Sequence, residues 1–115
     1  MSKTLKLVLT DHWFEEIKSG RKTHEYRKAT PFWAKRIYKA FGITPLSKAG
    51  YLYFEAPEEY MPNIEFQKAY RKNPERMIFK VKSLELLSSG INIDLRINEP
   101  VFDIELGDRI DVAED

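Results

Sequence analysis

Three charged residues of one short stretch are spaced for chemistry. In Lys22-Thr23-His24-Glu25-Tyr26-Arg27, polar and bulkier side chains alternate as they do along a strand. Thr23, Glu25 and Arg27 then share one face, and His24, Tyr26 and Lys28 share the other. Glu25 and Arg27 stand two residues apart, roughly 7 Å along a strand. Lys22 and Arg27 on such a face can hold an anion. Glu25 can accept a hydrogen bond from an exocyclic amine or serve as a general base for water. The aromatics Tyr26 and Trp33 fit a core or a wall better than a stacking platform. His24, opposite Glu25, fits a packed position.

The elements that must position these residues follow from the flanking pattern. Leu5, Leu7 and Leu9 alternate as a half-buried strand. His12 to Ser19 predicts a short helix with Thr10 or Asp11 as its cap and Gly20 as its stop. Thr30-Pro31 opens a second helix that runs to about Phe41 and stops at Gly42. That helix has an apolar side and a basic side of Lys35, Arg36 and Lys39. Tyr51 to Glu55 reads as a strand whose second face offers Tyr53 for stacking. Ile64 to Lys72 reads as a short helix, and Arg76 to Leu87 as a long, bulged strand. Ser88 to Pro100 reads as a loop with room for a short strand. Val101–Leu106 and Arg109–Val112 read as two strands flanking a Gly107-Asp108 turn. The order predicts an α+β domain: a small, mixed, curved sheet or barrel with short helices at its side.

Several chemistries are excluded by what the chain lacks. It has 115 residues and no cysteine, so one domain over residues 1–115 is expected, without disulfides or thiol chemistry. Two histidines, His12 and His24, lie on different elements, and neither belongs to an H-E-x-x-H pair; no metal and no cofactor are expected. Phosphate-binding loops of the G-x-x-x-x-G-K-[ST] and G-x-G-x-x-G types are absent, as is a G-x-S-x-G elbow. No apolar run reaches the roughly 20 residues of a membrane span, and no signal peptide is evident, so a cytoplasmic protein is expected.

The net charge of +1 conceals an asymmetry. Lys18 to Lys48 holds nine Lys or Arg and one acid, whereas Glu99 to Asp115 holds seven acids and one base. The basic segment suits a phosphate-bearing partner. An acidic tail folded over that segment would neutralise it.

The helix followed by Gly20-x-Lys22-x-x-Glu25-x-Arg27 resembles the core motif of the ASCH family, a branch of the PUA-like barrels. Leu5-Lys6-Leu7 looks like that family's first strand, and Phe102 to Ile110, with its Leu-Gly-Asp-Arg-Ile, like its closing strand. The Tyr26-Arg27-Lys28…Pro31-Phe32-Trp33…Lys35-Arg36-Ile37 segment is similar to small phage and bacterial members. The resemblance implies a PUA-like barrel with a cleft beside the first helix. It implies an RNA- or nucleotide-binding role in a cleft lined by the motif, with Lys22, Glu25 and Arg27 at the ligand; strand alternation adds Tyr53 for stacking, and the basic side of the second helix adds Lys35 and Arg36.

Some small members are enzymes, one branch hydrolysing the acetyl amide of N4-acetylcytidine and another member described as a ribonuclease. In an enzyme built on this pocket Lys22 would polarise or activate and Glu25 would be the general base for water. At Glu25 this chain departs from the amidohydrolase branch, which carries a catalytic threonine there. That branch also uses a later glutamate, for which Glu55 and Glu85 are candidates by strand position. Three readings stay open: a nucleotide- or RNA-binding module, a small hydrolase in the same cleft, and a partner-binding protein with a vestigial cleft.

Overall fold

A computed structural model of the chain describes residues 4–42 and 61–111. Five strands and two helices follow in the order β1 (Thr4–Leu9), α1 (Asp11–Lys18), β2 (His24–Lys28), α2 (Pro31–Phe41), β3 (Asn63–Lys68), β4 (Arg76–Leu87) and β5 (Val101–Arg109). The strands form one sheet in the order β1-β3-β4-β5-β2. β1 and β3 are parallel, and every other neighbouring pair is antiparallel. The sheet curls into a half-barrel, so its two outermost strands approach each other. The Arg27 guanidinium of β2 donates to the Val8 carbonyl of β1 at 3.5 Å.

Each element has a local cause. α1 buries Phe14 and Ile17, and the chain leaves it through Gly20 at φ 84°, a left-handed position that suits glycine. In α2, Pro31 fills the first turn and the Thr30 hydroxyl accepts from the Trp33 amide at 3.3 Å. Gly42, at φ 68°, ends that helix where the sequence places its stop. β4 is long and bulged as expected, with register shifts between Phe79 and Val81 and between Val81 and Ser83. An isolated bridge between Gly90 and Ile97 supplies the short pairing expected within Ser88–Pro100.

Two expectations are corrected. Residues 64–72 are not a helix: Ile64 and Phe66, both fully buried, alternate with more exposed neighbours in β3. The segment then turns at Ala69 and Asn73, which carry positive φ. Gly107-Asp108 is not a turn: β5 runs unbroken to Arg109, opposite Phe79. A Cβ at 107 would lie 3.4 Å from the Lys80 side chain and carbonyl, so this glycine marks a close approach beside the bulges of β4. The expected strand at Tyr51–Glu55 lies outside the described residues.

The concave face of the sheet carries Leu5, Leu7, Ile64, Phe66, Phe79 and Ile104, over which Phe14, Ile17 and Ile37 of the helices close the core. α1 is tied to the β3–β4 turn by three ion pairs: Asp11 with Arg71, Glu15 with Lys68 at 2.6 Å, and Lys18 with Glu75 at 2.6 Å. Asp11, Glu15 and Lys18 follow the spacing of one helix face. Among the described residues, no helix is long and apolar enough to cross a membrane.

Candidate functional site

β2 is the strand that breaks the apolar pattern. Across the antiparallel pair, Glu25 faces Ile104 and Arg27 faces Phe102, so the four share the core side of the sheet. A carboxylate and a guanidinium therefore stand where the neighbouring strand has Ile and Phe. Glu25 is 6% exposed. Its Oε1 accepts from the Tyr26 amide at 2.8 Å, and its Oε2 lies 3.6 Å from the Arg27 guanidinium. Arg27 also lies over the Trp33 ring, 4.9 Å from the centroid.

Two atoms of this pair stand out among the described residues. Glu25 Oε2 and Arg27 Nε are buried and have no hydrogen-bond partner. Leaving buried polar atoms unpaired costs about 1–3 kcal/mol each, more where they are charged. One is an acceptor and the other a donor.

Lys22 is set beside them by the turn after α1. Its backbone amide donates to the Glu16 carbonyl at 3.0 Å, just past the Gly20 turn. Its ammonium lies 4.6 Å from the Trp13 ring centroid and 5.0 Å from that of Tyr26, and it pairs with the Asp94 carboxylate. The side chain is only 10% exposed. Burial pushes the Lys22 pKa below the usual lysine range, and Arg27 adds to that, while Glu25 and Asp103 act against it. The contact with Asp94 also favours the charged form.

Against Trp13 and Asp94 opens a depression of about 510 Å³, lined further by Ile91, Asn92, Ile93 and Arg96. His24 and Tyr26 occupy the opposite face from Glu25, as the alternation predicts. Their rings stack at 6.1 Å, and the imidazole Nδ1 is 2.7 Å from the Asp103 carboxylate.

The structure sets Glu25 and Arg27 together on the core side of β2, while Lys22 feels both charges but is seated against Tyr26 of the other face; not every residue expected at the site joins them. Lys35 and Arg36 lie on the outward side of α2. With Lys6, Lys39 and Phe32 they line a groove of about 730 Å³ against β1. That groove shares no lining residue with the depression beside Lys22. Tyr53 and Glu55 fall outside the described residues. Glu85 is exposed and faces Asp103 from β4, so the carboxylate that meets Lys22 is neither of the two acids considered from strand position.

Asp94 was not foreseen, being a loop residue 72 positions from Lys22 with no local pattern to mark it. Trp13 of α1 is 36% exposed and presents its face to Lys22. Among the described residues no cluster of three His, Asp or Glu is placed to hold a metal ion. No family model matches the chain, and no curated protein matches it. The reading of the site rests on its geometry.

Proposed function

We propose that this domain binds a nucleobase-bearing ligand, a nucleotide or a segment of RNA, in the cleft formed by α1 and β2. The observation that carries the reading is the buried, unpartnered pair Glu25 Oε2 and Arg27 Nε. An acceptor beside a donor matches the edge of a nucleobase, which sets an exocyclic or ring N–H beside a ring nitrogen or carbonyl. Such an edge supplies both missing partners at once. The alternative, two permanently unsatisfied buried atoms, works against the fold. Lys22, with Trp13 and Tyr26 around it, adds a cation and two aromatic faces where the chain enters β2. Lys35 and Arg36, in their separate groove, extend the positive field for an RNA longer than one nucleotide.

A second reading, hydrolysis of an amide on a modified nucleoside or of RNA, is favoured by Lys22 itself. A buried lysine with a lowered pKa, close to a buried carboxylate, can polarise a carbonyl while Glu25 takes a proton from water.

The test is thermal stability against cytidine, N4-acetylcytidine, the nucleoside monophosphates and short single-stranded RNA, with the wild type and Lys22→Ala. A ligand at 100 times its dissociation constant adds about 2.7 kcal/mol, which moves the melting point by several degrees at this size. A shift that Lys22→Ala abolishes supports the cleft. For the hydrolase reading, Glu25→Gln should stop turnover and leave affinity within a few fold. Silence of the wild type across the whole panel sinks the proposal.

A further inference from the structure

Lys22 is held on three sides. Two are aromatic faces, Trp13 and Tyr26, and the third is the Asp94 carboxylate. The rings belong to α1 and β2 and pack with the body of the domain. Asp94 comes instead from the β4–β5 connection, in a short loop closed by the Gly90–Ile97 bridge. The same loop contributes Arg96, held at a positive φ of 49°, to the wall of the depression. Among the described residues Arg96 has no ion pair. Asp94 and Arg96 therefore line one small depression together with Trp13, and Lys22 contacts two of its lining residues, Trp13 and Asp94. The buried atoms that call for a ligand, on Glu25 and Arg27, lie on the strand that Lys22 leads into.

We infer that Asp94 occupies the anion position of this site, and that the ligand enters by replacing the Asp94 carboxylate on Lys22 with a phosphate that Arg96 also contacts. The inference rests on the nucleobase reading and deepens it: the ligand is a phosphorylated one, not a neutral nucleoside. The chemistry of the cation supports the exchange. The Lys22 ammonium is largely buried and paired with a carboxylate, and one oxyanion can take the place of another there. Phosphate suits a position bordered by a lysine and an arginine, because it presents several acceptor oxygens to both. Asp94 then competes only with the phosphate of a ligand, and a neutral nucleoside, having none, does not meet it.

Asp94→Asn tests this, with inorganic phosphate, cytidine and cytidine monophosphate as probes in isothermal titration. The variant should bind phosphate and the monophosphate about tenfold more tightly than wild type, the change expected when one competing charge is removed. Cytidine affinity should not change. Asp94→Glu, which keeps the carboxylate, should bind phosphate as the wild type does. Adding Arg96→Ala to Asp94→Asn should take back part of the gain. A dinucleoside monophosphate in the same series separates a terminal phosphate from an RNA diester as the natural source.

If Asp94→Asn gains no phosphate affinity, the inference is overturned whatever cytidine does. A gain for phosphate with no added contribution from the base leaves the inference standing and the nucleobase reading refuted. Should Asp94→Asn lose its cooperative melt, the wild type decides. Saturating phosphate must then move the Asp94 carboxylate carbon in the NMR spectrum, and an unmoved signal overturns the inference.

Discussion

Replacing the Glu25–Arg27 pair by apolar residues separates what β2 does for the fold from what it does for a ligand. The substitutions are Glu25→Leu, Arg27→Met and the two together. Glu25 is 6% exposed and the Arg27 side chain 20%, with 3.6 Å between their charged groups. Removing one member of a buried pair leaves the other charge uncompensated, at about 3–5 kcal/mol. In Glu25→Leu the guanidinium keeps the Trp33 face, the Val8 carbonyl and some solvent, so the loss belongs at the low end, about 3 kcal/mol. In Arg27→Met the carboxylate keeps the Tyr26 amide and the nearby Lys22 charge, and a similar loss of about 3 kcal/mol follows.

The double variant puts two apolar side chains beside Ile104 and Phe102, where the core side of the sheet already asks for them. It should match the wild type within about 1 kcal/mol or exceed it, because apolar replacements of buried ion pairs are often neutral or stabilising. Urea unfolding followed by circular dichroism, with the slope compared among the four proteins, measures this. The same double variant should lose whatever affinity the nucleobase contributes, while binding of inorganic phosphate at Lys22 is retained. Two results would refute the reasoning: single variants that each lose less than about 1 kcal/mol, or a double variant whose loss equals the sum of the singles.

Three further outcomes follow from other parts of the molecule. Hydrogen bonding from Arg109 pulls the Asp111 pKa from 3.8 to about 2, so this group stabilises the fold above pH 4. That contribution, about 1 kcal/mol after allowance for solvent screening, should vanish as the pH falls from about 4 to about 2. In Asp111→Asn that part of the acid limb of the stability curve should be absent, as acid titration at fixed urea would read. Gly90→Ala brings a Cβ to 2.9 Å from the buried Val101 side chain and should cost about 1–3 kcal/mol; a melting point equal to wild type would contradict the close contact. Phe66→Ala, in the middle of the core, should lose about 3–5 kcal/mol in urea, and a loss below about 2 kcal/mol would mean the core is packed elsewhere.

What was legible in the sequence was whatever is set by neighbours along the chain. The stops at Gly20 and Gly42, the Thr30-Pro31 start, the β1 alternation and the two faces of β2 all depend on residues a few positions apart. β3 was misread because only Ile64 and Phe66 carry its period, too short a run to separate a strand from a helix. Gly107-Asp108 has turn composition, but its surroundings are set by the bulged β4 across from it. The candidate site divides in the same way. The positions of Glu25 and Arg27 relative to one another follow from strand periodicity, and Lys22 is set by the turn after α1. That Glu25 faces the core is decided by its pairing with β5, and that Lys22 meets Asp94 is decided by a loop between the last two strands.

The pairing of β2 also has a consequence in time. β3 and β4 are separated by a seven-residue turn and can meet early, since short loops close quickly. Among the described residues β2 has one neighbour in the sheet, β5, and the residues they pair, such as Glu25 with Ile104, lie far apart along the chain. β1 must likewise wait for β3. The two ends of the sheet are thus the slowest contacts to form, and Glu25 and Arg27 ride on one of them. A chain in which β3 and β4 have already condensed still lacks the cleft. The proposed ligand site therefore arrives with the last strand pairing, and in unfolding it is the part that fails when that edge first opens.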